Sequence, residues 1–153
     1  MSAAEVNFIL AESAQRGWAT GNAETLYNAA IKASFDAWGV AAGYPAYIAG
    51  EKVKYNGSLK QLIEQKWISS WTAAAEAWFD YRRTGYPELT TGSQALRQAV
   101  PVRFFYMLDE RNLNKANSDV AVGRLESTPF TGPEGANSPW SKPWVIQGTG
   151  KPW

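Results

Sequence analysis

From Gln65 to Pro87 the chain reads Gln-Lys-Trp-Ile-Ser-Ser-Trp-Thr-Ala-Ala-Ala-Glu-Ala-Trp-Phe-Asp-Tyr-Arg-Arg-Thr-Gly-Tyr-Pro, and no other stretch restricts the fold so tightly. Trp67, Trp71 and Trp78 stand four and seven residues apart, which places them on one face of a helix. Arg82 and Arg83 fall in its last turn, where cations suit the carbonyl end of the helix dipole. Gly85 can supply a left-handed cap, and Pro87 forbids continuation. Ser58 with Gln61 three residues on makes a capping box at the other end. The pattern predicts one long core helix over 58–84. Its main stripe is Leu59, Leu62, Ile63, Trp67, Trp71, Ala74, Trp78 and Tyr81. A second apolar stripe of Ile68, Ala75 and Phe79 implies burial between layers.

Residues 1–38 predict a helical hairpin. Ser2 and Glu5 form a capping box for a helix from Ala3 to Arg16, with Val6, Ile9, Leu10, Ser13, Ala14 and Gly17 as its inner face. Gly17 to Gly21 is a turn, and Asn22 caps a second helix from Ala23 to Trp38. Leu26, Tyr27, Ala30, Ile31, Ser34 and Trp38 form its inner stripe. So short a turn makes the pair antiparallel. Ala11, Ala23, Tyr27 and Ala30 fit the small–aromatic pattern of a tetratricopeptide-like unit, and a generic hairpin accounts for them as well. One such unit cannot bury its own face, so neighbours are implied.

The remainder is less regular. Residues 39–57 read as a connector carrying Tyr44, Tyr47 and Tyr55, briefly extended at 52–55. Beyond Pro87 the pattern predicts a polar loop, a short helix containing Leu96, an extended piece over 101–107, and one helix from Asp109 to about Leu125. Five of the eight prolines lie in 127–153, which reads as an irregular tail pinned by Trp140, Trp144 and Trp153. The predicted fold class is all-α: tetratricopeptide-like hairpins, long irregular loops and an irregular Pro/Gly/Trp-rich tail.

The 153 residues suffice for one domain with a substantial core. A net charge of +1 gives no electrostatic footprint for nucleic acid. Cysteine and histidine are both absent, which removes disulfides, Cys/His metal sites, thiol nucleophiles and histidine bases. No phosphate-binding or dinucleotide motif occurs, and neither a cofactor nor a metal is expected. No segment reads as a membrane span or a signal peptide, and no cysteine offers a lipid attachment site.

The carboxylate pairs Glu76/Asp80 and Asp109/Glu110 read as an ion-paired set beside Arg83 and as a helix opening, so no acid/base constellation emerges. Arg82 and Arg83 suit either a bidentate grip on an anion or a structural role stacked on aromatic rings. Aromatic residues make up 14% of the chain and charged ones 19%, so either the core is tryptophan-rich or some rings form a binding platform. Trp67, Trp78, Glu76, Arg82 and Arg83 are taken as structural. Tyr44 and Tyr47 lack a periodic partner and are the candidate ligand contacts, with anchoring of their loop as the other reading.

These motifs resemble the C-terminal part of the SusD/RagB family. The resemblance rests on Ala4-Glu5-Val6-Asn7-Phe8-Ile9-Leu10-Ala11-Glu12-Ser13-Ala14 with Arg16-Gly17-Trp18, on Tyr27 with Ala30-Ile31, and on Trp38-Gly39. It extends through Gln65-Lys66-Trp67-Ile68, Glu76-Ala77-Trp78, Arg82-Arg83-Thr84-Gly85-Tyr86-Pro87 and Pro101-Val102-Arg103-Phe104-Phe105-Tyr106, with Glu110 and Asn117 beyond. It implies a non-catalytic surface lipoprotein of the outer membrane that captures oligosaccharides, or peptides in some members. It implies a SusC-type TonB-dependent transporter as partner. The family's lipoprotein signal, anchoring cysteine and larger N-terminal portion have no counterpart in the sequence, so a fragment of a longer protein is expected, with an aromatic-rich face exposed. The rival reading is a free-standing tetratricopeptide-like adaptor that binds a protein.

Overall fold

A computed structural model describes residues 1–150 and Pro152. Trp153, expected to help pin the tail, lies outside the described residues. The fold is all-α, as predicted. Among the described residues there are seven α-helices and no strand, and the single β-bridge pairs Glu126 with Lys142. Length predicts one domain, yet the chain divides into two compact units, Met1–Asp80 and Tyr81–Trp153, with the division inside a helix.

In the first unit, α1 (Ala3–Gln15) and α2 (Ala23–Ala37) form the expected hairpin. Ser2 and Glu5 complete a reciprocal capping box on α1, and Asn22 Oδ1 accepts from Thr25 N at the start of α2. The buried face of α1 differs from the expected one. Ala4, Phe8, Ala11 and Glu12 are buried, whereas Val6, Ile9 and Leu10 stand open. Ala4 and Ala11 let the helices approach closely, and Phe8 meets Tyr27 edge-on at 6.1 Å. Tyr27 is fully buried, and its hydroxyl donates to Val53 O at 2.6 Å. Burial raises its pKa well above that of a free phenol.

The connector is more ordered than its composition suggests. A 3-10 turn at Ala41–Gly43 leads into α3 (Tyr44–Ile48), with Pro45 in the first turn, where proline is tolerated. Residues 52–55 are not extended; Val53 N and Lys54 N both donate to Gly50 O in a tight turn. The Gln61 side chain fixes this turn by donating to Lys52 O and Lys54 O and accepting from Asn56 N. It therefore does not close the predicted second capping box, although Ser58 Oγ does accept from Gln61 N.

The predicted single helix over 58–84 is two helices, α4 (Leu59–Ser69) and α5 (Ala74–Thr84). Ser69 Oγ donates back to Lys66 O, and Ser70 caps α4, the kind of local competition by which serines end helices. The break has a structural purpose. Lys66 and Asp80, fourteen residues apart, would be separated by about 21 Å on an unbroken helix. The turn brings Lys66 Nζ to 2.6 Å from Asp80 Oδ2, with both residues buried. Asp80 is thus a buried partner of Lys66. Severing the stripe leaves Leu62 and Ile63 in the core but exposes Trp67 and Trp71.

In the second unit, residues 92–100 form turns instead of the expected short helix around Leu96. The helix expected from Asp109 to Leu125 is split into α6 (Leu108–Leu113) and α7 (Lys115–Gly123). Asn114 leaves helical geometry at the joint, donating to Glu110 Oε1 and accepting from Asn117. The tail is irregular but docked. Val102, Ser138, Ser141 and Ile146 are fully buried, and Thr128 Oγ1 donates to Trp140 O at 2.9 Å. Trp144, expected to pin the tail, is 79% exposed, and Ile146 takes that place.

Candidate functional site

A cleft of about 620 Å³ opens in the second unit, a size suited to a small-molecule or oligomeric ligand. Phe105, Tyr106 and Trp140 supply its aromatic wall, and Arg97, Glu134, Asn137 and Arg111 its polar groups. They come from the turn at 96–97, the piece leading into α6, α6 itself, and the tail.

Asn137 ties two of those segments together. Its Oδ1 accepts from Tyr106 N at 2.8 Å, and its Nδ2 donates to Tyr106 O at 2.9 Å, mimicking one rung of a sheet. Arg103 adds to the clip, donating to Asn137 Oδ1 and to Ser138 O, with its guanidinium 4.9 Å from the Tyr106 ring centroid. Burial lowers the Arg103 pKa. Val102 N and Arg103 N both donate to Pro139 O, so the 101–106 piece pairs locally with the tail without becoming a strand. Trp140 is pinned as expected, through Nε1 to Ala99 O at 2.7 Å.

Arg97 and Glu134 form the charged element of the wall. Nη1 and Nη2 donate to Oε1 and Oε2, the latter at 2.7 Å, in the fork geometry that makes such pairs strong. Ser138 Oγ donates to Oε1 at 2.9 Å, and the Arg97 guanidinium lies 4.2 Å from the Trp140 ring centroid. The hydrogen bond from Arg97 is the main reason the Glu134 carboxyl is held down at about 2, and the same bond raises Arg97. Glu134 is the single carboxylate among the lining residues. Glycoside hydrolysis uses two, one of them poised as an acid near neutral pH.

None of the site residues named from the sequence lines this cleft. Tyr44 and Tyr47 sit on α3 three residues apart, with their rings 6.1 Å and 5.1 Å from the Phe35 ring centroid. Their hydroxyls reach Asn28 O and Gln65 Oε1, which anchors the segment. Trp78 lies half-buried beside Phe79, Glu76 and Arg83 are exposed, and Arg82 is half-buried, with burial lowering its pKa. Trp38 and Trp71 meet at 4.9 Å with their rings tilted by 42°, 49% and 68% exposed, forming an aromatic ledge on the first unit.

The family model described as SusD-like, starch-binding and associating with the outer membrane matches residues 1–107, and the chain belongs to this family. Solved structures agree. One described as Bacteroidetes AC2a SusD-like matches with a TM-score of 0.76 and 28% identity, over 94% of this chain and 29% of its own. A chitin-binding protein matches at 0.73 and 30%, over 94% and 32%. A SusD homolog from Bacteroides fragilis matches at 0.73 and 27%, over 94% and 34%. The chain spans about a third of the length of these structures. No curated protein sequence matches it. No helix among the described residues is long and apolar enough to cross a membrane.

Proposed function

We propose that this chain is part of a SusD-like surface protein of the outer membrane that captures oligosaccharides without transforming them, in concert with a SusC-type TonB-dependent transporter. The observation that carries this reading is the cleft between Arg97 and Trp140. Three aromatic rings beside a fixed guanidinium–carboxylate pair are the chemistry a pyranose uses, since its C–H faces lie on rings and its hydroxyls both donate and accept. The lone carboxylate supports capture over catalysis. The Trp38/Trp71 ledge supports a portion that packs against the rest of a longer protein. In this reading Tyr44 and Tyr47 anchor α3, and Trp67, Trp78, Glu76, Arg82 and Arg83 remain structural. The adaptor alternative keeps only the α1–α2 hairpin in its favour.

Calorimetry of the full chain with maltohexaose and chitohexaose tests the site. Phe105, 47% exposed in the cleft wall, can be truncated without opening the core. Phe105→Ala should weaken binding on the order of tenfold, as loss of an aromatic contact worth about 1–2 kcal/mol would. Equal affinity of variant and wild type would move the site elsewhere. Fractionation of source cells with an antibody to this chain tests the setting. A soluble band near 16.9 kDa would contradict it, and an outer-membrane band several times heavier would support it.

A further inference from the structure

Resting on the glycan reading of the cleft proposed above, we infer that Arg111 makes the site selective for acidic oligosaccharides by gripping the carboxylate of a uronic-acid unit. The charged side chains lining the cleft are Arg97, Arg111 and Glu134. Two of them are spent on each other. Glu134 accepts from both Arg97 Nη atoms, from Ser138 Oγ and from its own backbone N–H, which fills the roughly four acceptor sites of a carboxylate. The pair is neutral as a unit, so Arg111 sets the sign of the cleft.

Helix spacing explains why Arg111 is left over. Leu108 and Arg111 lie three residues apart on α6, hence on one face, and both line the cleft. Asp109 and Glu110 are the two residues just before Arg111, a spacing that does not bring side chains together on a helix, and neither lines the cleft. Glu110 instead accepts from Asn114 Nδ2 at 2.7 Å. The positions one turn from Arg111 are Met107, Leu108, Asn114 and Lys115, none of them acidic, and Lys115 is paired with Asp119. Among the described residues Arg111 forms no ion pair, and it is exposed. Phe105, Leu108 and Val122 share the lining with it, and apolar walls strengthen the pull of a cation on an anion relative to open water. The planar guanidinium matches a carboxylate with two parallel hydrogen bonds. Phe105, Tyr106 and Trp140 offer faces to the pyranose, and Arg111 reads its substituent.

The test is calorimetry of the full chain with galacturonate, glucuronate and alginate oligosaccharides. Each is compared with its carboxyl-reduced neutral counterpart of the same length and linkage. For at least one of these pairs wild type should bind the acidic member about fivefold or more tightly, as a charge-assisted hydrogen bond to an exposed group would give, and the gap should narrow as salt is raised. Arg111→Gln should bring the acidic ligand down to the affinity of its reduced counterpart. Lys115→Gln removes the same charge from a neighbouring residue that does not line the cleft, and should keep the preference. Thermal melts by circular dichroism verify that both variants are folded. Wild type binding the two members of every pair equally overturns the inference while leaving a glycan site in place. A preference retained in folded Arg111→Gln also overturns it, as does an equal loss in Lys115→Gln, which would make net charge the cause. Failure of wild type to bind any glycan, acidic or neutral, overturns the glycan reading itself and this inference with it.

Discussion

Gly132→Ala probes the Arg97–Glu134 latch without touching either partner. Gly132 has φ +74°, in the left-handed region, and a Cβ built there would lie 2.7 Å from both Arg97 Cζ and Glu134 Oε2. Two costs follow, and they can be separated. The backbone cost of holding a non-glycine residue in this conformation is about 1–2 kcal/mol. The steric cost falls on the ion pair, which must open by several tenths of an ångström or more, lifting Arg97 off Trp140. Gly135 supplies the internal control. It sits three residues on with φ +73°, and a Cβ there meets nothing within 4 Å. Gly135→Ala should therefore lose only the backbone term, about 2–8 °C in melting temperature for a chain of this size. Gly132→Ala should lose more stability than that and should also lose glycan affinity. Urea denaturation and calorimetry of both variants give the comparison. Equal destabilisation by the two substitutions, with wild-type affinity in Gly132→Ala, would refute the idea that the latch shapes the cleft.

Asp80→Asn leaves Lys66 as a buried charge with a weakened partner and should destabilise the chain by about 3–5 kcal/mol, while Lys66→Met/Asp80→Leu should recover much of that loss in urea titrations. Because the folded-state pKa of Glu134 is depressed to about 2 from 4.5, its stabilising contribution is complete above about pH 4.5 and lost as pH falls toward 2; urea midpoints across that window should slope in wild type and flatten in Glu134→Gln. The exposed Trp38/Trp71 ledge should bind a hydrophobic dye, and Trp71→Ser should reduce the signal; a monodisperse monomer with no dye binding would count against an unpartnered face.

The fold was legible where local rules act alone. Ser2, Glu5 and Asn22 cap helices as their spacing predicts, and Tyr27 with Ala30 and Ile31 marks the buried side of α2. Periodicity misled where two solutions satisfy it. On α1 the larger apolar side chains Val6, Ile9 and Leu10 suggested the core, but close approach through Ala4 and Ala11 decided the packing. In 58–84 the tryptophan spacing described one stripe, and the serines at 69 and 70 together with the distant Lys66–Asp80 attraction divided it. An ion pair across a break leaves no periodic trace, so only the Ser-Ser step could have signalled it.

The cleft was illegible for a different reason. Arg97 and Glu134 are thirty-seven residues apart, in stretches read as a helix and a tail, and no pattern rule joins them. The residues that build the wall act through side-chain clips: Asn137 stands in for a strand, Trp140 hangs on one carbonyl, and Gly132 makes room for a guanidinium. Such segments gain little from regular backbone pairing, so their order depends on a few polar contacts being satisfied together. This suits the capture surface proposed above. Rings and hydroxyl-matching groups can be exchanged at the tips of clipped loops without disturbing α1 to α5, so ligand preference can vary while the helical frame stays the same. The Arg97–Glu134 pair, at the meeting point of two such loops, is where that variation would be felt first.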